Sequence, residues 1–139
     1  MSAQLMDGKA LAAQKKAAIR AEVERLARTP GLAVVLVGEN PASQIYVRGK
    51  ARDCEECGIR CMDFRLPAQT TESDLLTLIA ELNGRADVDG ILVQLPLPEG
   101  IRERRVLEAI APEKDVDAFH PENVGRLVQG QARYLPCTP

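Results

Sequence analysis

The chain has 139 residues, of which 45% are hydrophobic and 27% charged, and its formal net charge is -2. That size and balance suit one globular domain that builds its core without disulfides or metals. With no basic excess, 3% aromatics and no apolar run of bilayer length, neither nucleic acid nor a membrane is an expected partner.

The elements follow in chain order. Asp7 is a candidate cap for a first helix, whose apolar stripe is Ala12, Ile19, Val23 and Leu26. Thr29-Pro30-Gly31 ends it. Residues 32–37 are an unbroken apolar run, the pattern of a parallel strand covered on both faces. A turn over 38–43 leads into a second helix, with Asn40 as cap, Pro41 at its first position and Gly58 at its end. Residues 59–66 form a second strand. Thr71 and Asp74 suggest a capping box for a third helix carrying Leu75, Leu78, Ile79 and Leu82, closed by Asn83-Gly84. Residues 90–94 form a third strand, stopped by Pro96 and Pro98. A short helix over 104–110 and a loop through Asp115 and Asp117 complete the order. Strands alternating with helices predict an α/β fold, a three-layer α-β-α domain with a mainly parallel sheet. Ligands of such sheets sit beyond the carboxyl ends of the strands. The first residues lack a signal-peptide core, and the default location is the cytoplasm.

Cys54 and Cys57 form a C-x-x-C within a helical stretch, and Cys61 and Cys137 complete the set. A zinc site needs four ligands at workable spacings, and a redox pair needs a helix N-terminus. Neither condition is met, so reduced, partly buried thiols and no metal are expected. His120 stands before Pro121 and reads as a loop histidine bonded to backbone rather than a general base.

Tyr46 and Lys50 are four apart on the second helix, and so share a face one turn apart. That helix starts at a strand's carboxyl end, so this face can overlook the crevice. A lysine there can donate a proton, or accept one once burial disfavours its charge. The alternative is a solvated lysine beside a rim tyrosine. Gln94 ends an apolar strand and offers a donor and an acceptor at the strand's mouth, or bonds loop backbone. Of Asp115 and Asp117, one carboxylate is expected to face the crevice, where it suits adjacent N–H donors such as those of a pterin ring, while the other caps or pairs outside. Two solvated loop acids are the alternative. No G-x-G-x-x-G, P-loop or nucleophile elbow occurs in these residues.

Four blocks in order resemble the methylenetetrahydrofolate dehydrogenase/cyclohydrolase family. They are Val37-Gly38-Glu39-Asn40-Pro41-Ala42-Ser43 with Tyr46-Val47-Arg48-Gly49-Lys50, then Gly90-Ile91-Leu92-Val93-Gln94-Leu95-Pro96-Leu97-Pro98. Pro112-Glu113-Lys114-Asp115-Val116-Asp117 follows, continuing through Phe119-His120-Pro121 and Asn123-Val124-Gly125-Arg126-Leu127, and Pro136-Cys137-Thr138-Pro139 comes last. The resemblance implies the N-terminal fold of an amino-acid-dehydrogenase-like enzyme. It also implies oxidation of methylenetetrahydrofolate to the methenyl cation with NADP, then hydrolysis to formyltetrahydrofolate, chemistry that feeds purine, methionine and histidine biosynthesis. It makes Lys50 the catalytic lysine, assisted by Tyr46 at the folate ring and Gln94 as hydrogen-bond partner. Val93 and Leu95 line the pocket, and Asp117 holds the pterin edge. A cationic substrate would disfavour the charged amine by like charge.

Two departures from the family pattern stand out. The family usually has glycine where this chain has Ala118, which strains the loop if that position needs positive φ. The family's dinucleotide-binding domain, and a C-terminal helix that packs back on the first domain, follow the sequence that reaches Pro139 here. The expectation is therefore a folate-binding catalytic domain over 1–139 without the NADP site, and a homodimer in the intact family. Two other readings are a non-catalytic folate-binding or interaction module, and the substrate half of another two-domain dehydrogenase.

Overall fold

The computed structural model describes residues 6–136. Helix α1 spans Gly8–Val23, β1 Gly31–Val37, α2 Pro41–Cys57, β2 Arg60–Leu66, α3 Glu72–Gly84, β3 Gly90–Val93, α4 Glu103–Ala109 and α5 Pro121–Val128. The three strands form one parallel sheet in the order β2-β1-β3. The chain steps from β1 outward to β2, then crosses back to the other side of β1. Two crossovers of the same hand that run in opposite directions must use opposite faces. The core divides accordingly. Ala33, Val35, Val37, Ile91 and Val93 pack with Leu75, Ile79 and Leu82 of α3 and Val106 of α4. Val34, Leu36 and Leu92 pack with Val47 of α2. Both faces of β1 are therefore covered, as its unbroken apolar run requires.

Local signals place the helix ends. The Asp7 carboxylate accepts from Ala10 N (2.9 Å), and Asn40 Oδ1 accepts from Ser43 N (3.1 Å) ahead of Pro41. Gly58 ends α2 at φ 76°, a left-handed conformation that suits glycine. The Thr71–Asp74 box forms in both directions. Asn83 and Lys114 then lock the far end of α3. The Asn83 amide donates to Ala109 O and accepts from Ala111 N, and Lys114 Nζ donates to the carbonyls of Leu82, Asn83 and Arg85.

The first helix departs from expectation. It ends at Val23, none of its residues is buried, and Ile19 and Leu26 are exposed. It docks on α2 by charge instead. Lys16 Nζ pairs with Asp53 (3.2 Å) and with Glu56, and Arg20 Nη1 donates to Glu56 O (3.1 Å). Helix α5 is the other departure, since its segment reads as turn and loop. His120 caps it, Nδ1 accepting from Glu122 N (3.1 Å), with Pro121 at its first position and a Glu122–Arg126 pair along its surface. The histidine is bonded to backbone as expected, but as a helix cap.

Gly90 sits where β3 meets the loop after α4. A Cβ there would lie 2.5 Å from Val116 Cγ1, closer than atoms tolerate. Gly90→Ala must therefore displace Val116, and with it the segment bearing Asp115 and Asp117. We expect it to destabilise the protein by about 1–3 kcal/mol, read as a lower midpoint in thermal or urea unfolding. An unchanged midpoint would show that the contact yields freely.

Candidate active site

The site lies where the chain reverses direction across the sheet, between the carboxyl ends of β1 and β3. Such switch points leave a crevice, because neighbouring strands lead to opposite faces. At β1, Gly38 turns the chain at φ 83° towards α2. At β3, the ladder continues one bond past the strand, with Gln94 N donating to Val35 O (2.8 Å). Strand alternation sends Gln94 to the same face as Leu92, the face covered by α2. Helical spacing sends Tyr46 and Lys50 back towards it.

The two periodicities converge on one hydrogen bond. Lys50 Nζ donates to Gln94 Oε1 at 3.1 Å. Gln94 Nε2 donates to Leu95 O at 2.8 Å, which leaves its oxygen for the amine. Lys50 Nζ also stands 5.8 Å from the centre of the Tyr46 ring, within cation–π range. Tyr46 is 63% exposed, so most of its surface is open. The Asp117 carboxyl lies within range of the Lys50 charge, without an ion pair between them. Burial pushes it above the usual carboxylate range, the Lys50 charge pulls it back, and the Asp115 charge adds to the rise.

Lys50, Gln94 and Tyr46 thus come together, Leu95 adds its carbonyl, and Asp117 lies within reach of the amine's charge. Val93 does not join them through its side chain, which packs in the core on the α3 and α4 face. Of the two acids, Asp115 pairs away from the amine. It is buried, with Oδ2 accepting from His120 N (2.8 Å) and from Asn123 Nδ2 (2.9 Å), because it holds α5 in place. Ala118 has φ 56° and is buried, so the loop beside Asp117 carries an alanine in a left-handed conformation.

The segment beyond Gln94 is held from outside. The Leu95–Pro96 peptide is cis. Glu103 Oε1 accepts from Leu97 N (3.1 Å), and Glu72 Oε2 accepts from Arg102 N (2.9 Å). Hydrogen bonds from the Arg102 side chain and backbone hold the Glu72 carboxyl down at about 2. Sequence reasoning missed Glu72, Glu103 and Asn123, and named Asp115 without its partners. The Asp115–Asn123 pair was recoverable only with α5, which Pro121 after a capping residue and the Glu122–Arg126 spacing signal.

The thiols lie elsewhere. Cys54 and Cys57 are buried and free, and Cys61 is half-buried and free. Burial, with Cys61 alongside, pushes the Cys54 thiol up to about 12, which suppresses the thiolate. Cys137 lies outside the described residues.

Residues 6–117 match the family described as tetrahydrofolate dehydrogenase/cyclohydrolase, catalytic domain. The chain belongs to this family. The bifunctional protein FolD of Nitratidesulfovibrio vulgaris (strain DSM 19637 / Miyazaki F) is 60% identical over 97% of this chain and 48% of its own length. The bifunctional FolD dehydrogenase/cyclohydrolase of Campylobacter jejuni superposes with a TM-score of 0.95 at 49% identity, over 98% of this chain and 50% of that one. The Trypanosoma brucei FolD enzyme, solved with NADP cofactor and inhibitor, gives a TM-score of 0.92 at 36% identity, over 99% and 49%. The chain thus spans about half the length of the tetrahydrofolate dehydrogenase/cyclohydrolase relatives it matches.

The turn from β1 to α2 does not fit a dinucleotide. A pyrophosphate needs free N–H groups at a helix N-terminus and glycines that let it approach. Here Pro41 has no N–H, Asn40 occupies Ser43 N, and Glu39 adds a negative charge.

Two outcomes follow from the Asp117 loop. Asp117 carries a raised carboxyl, so its ionisation opposes folding. That penalty is absent below the ordinary carboxylate range and grows as pH rises through the raised value. Asp117→Asn should therefore raise the melting temperature at about pH 7 and give no gain near about pH 3, as thermal melts across pH would show. At Ala118, Ala118→Val should destabilise by more than about 2 kcal/mol, because a β-branched residue resists positive φ. Ala118→Gly should be tolerated. Equal denaturation midpoints for the two variants would remove the strain account.

Proposed function

We propose that residues 1–139 form the folate-binding catalytic domain of a bifunctional enzyme. The whole enzyme oxidises methylenetetrahydrofolate to methenyltetrahydrofolate with NADP and hydrolyses the product to formyltetrahydrofolate. This chain supplies the folate site, with NADP held by residues other than these, and no hydride step is assigned to it. The observation that carries the reading is the Lys50 amine bonded to Gln94 Oε1 beside the Tyr46 ring.

Hydrolysis adds one water to the methenyl carbon, opens one of its carbon–nitrogen bonds and releases one proton. Lys50 is the base that takes this proton as the water adds. Gln94 keeps the amine aimed at the reacting carbon, and its own rotation is stopped by Leu95 O. Tyr46 offers its open ring to the flat pterin. Asp117 accepts from the pterin's N–H edge, and burial strengthens such a pair. Val93 and Leu95 contribute through backbone and wall. Among the described residues no helix is long and apolar enough to cross a membrane. The reading includes a cytoplasmic location, a role in one-carbon supply to biosynthesis, and a homodimer of the intact enzyme.

The test compares wild type with Lys50→Ala. Wild type should accelerate methenyltetrahydrofolate hydrolysis above buffer. Lys50→Ala should lower that rate by about 10²-fold or more while shifting tetrahydrofolate affinity by less than about threefold. Undiminished hydrolysis in Lys50→Ala would sink the assignment, and binding without hydrolysis by wild type would leave a non-catalytic folate module.

A further inference from the structure

Asp115 and Asn123 take no part in the chemistry above, yet they are 2% and 0% exposed. Burying a carboxylate and an amide is unfavourable unless they are well bonded, and apolar residues would fill the same space at less expense. What they bond is therefore informative. One oxygen, Asp115 Oδ2, accepts from His120 N and from Asn123 Nδ2, and that same nitrogen donates to Pro112 O at 2.8 Å. The ties reach both ends of the 112–123 segment. Between them, Val116 lies against Gly90 and Leu32 on the α2 face of the sheet, and Ala118 is left-handed. Backbone strain of this kind persists only where the surroundings over-determine it.

Asp117 is the residue between those two fixed points. It is half-buried, and burial opposes its ionisation. A slack loop would relieve that by swinging the carboxyl into water. The clamp is built on the first carboxylate of the pair, and the second is the one held against relaxation.

We propose that Asp115 and Asn123 are positioning residues, a buried carboxylate–amide clamp that holds the loop bearing the Asp117 carboxyl in the geometry a folate's pterin edge requires. This rests on Asp117 being the pterin-binding group. Because the clamp acts only through Asp117, removing it matters only while Asp117 can accept from the ligand.

The experiment is a double-mutant cycle on the 139-residue protein, read by titration with tetrahydrofolate. Asp115→Asn and Asp117→Asn should each weaken binding about tenfold, and the double variant should bind no more weakly than Asp117→Asn alone. Asp115→Asn combined with Tyr46→Ala should show the full product of the two losses, since Tyr46 stands on α2 outside the clamp. Unchanged affinity in Asp115→Asn overturns the proposal. So do multiplicative losses with Asp117→Asn, which would mark Asp115 as merely structural. If circular dichroism shows Asp115→Asn unfolded, Asn123→Ala takes its place in the same cycle, because it leaves the bond from His120 N intact. Wild type that fails to bind tetrahydrofolate, or Asp117→Asn that binds as wild type, defeats the folate-site reading itself, and the clamp with it.

Discussion

The bond between the Lys50 amine and the Gln94 amide joins two elements that share little else at this end of the sheet. One partner hangs from a helix with a repeat of 3.6 residues, the other from a strand with a repeat of two. They meet because β3 returns to the opposite side of β1 from β2. Were the strands ordered in sequence, Gln94 would sit beyond β2, one strand further from α2. The site is thus a consequence of topology before it is one of side-chain chemistry. The amide's second bond, to Leu95 O, turns that proximity into a fixed orientation.

Around this bond the protein spends polar groups where apolar ones would pack more simply. Glu72 and Glu103 hold the segment after Gln94 through backbone N–H groups. Asp115 and Asn123 hold the segment around Asp117. Lys114, adjacent to Asp115, is anchored on three carbonyls at the end of α3. Hydrogen bonds to backbone constrain direction as well as distance, which apolar contacts do not. Loops that carry reacting groups need that directionality.

Most of the fold was legible because its signals are local. The unbroken run of β1, the Asn40-Pro41 start of α2, Gly58 at its end and the Thr71–Asp74 box each announce themselves within a few residues, and each forms as read. The two periodicities and the strand-end rule allowed Tyr46, Lys50 and Gln94 to meet, and the family resemblance implied the bond between the last two. What escaped was long-range or polar. Val93 belongs to the odd-numbered face of β3 and so to the core, which the period of two implies once the face of Gln94 is set. The role of Asp115 depends on α5, whose Val124, Leu127 and Val128 fall at helical spacing behind His120-Pro121, a signal that the turn reading passed over. The stripe of α1 misled because an apolar spacing says only that a face could be buried, and here Ala12 and Ile19 line an open groove between the two helices while α1 meets α2 through carboxylates.

That last feature sets how α1 behaves. A helix held by lysine and arginine against surface carboxylates is bound by Coulomb attraction through water, which dissolved ions screen over about 10 Å at moderate salt. The sheet is held by buried apolar area, which such screening leaves untouched. The molecule therefore has two kinds of attachment with different sensitivities to its medium. Its first helix is the attachment that salt weakens, while the three strands, and the α2 helix that carries Lys50, are held by buried apolar area.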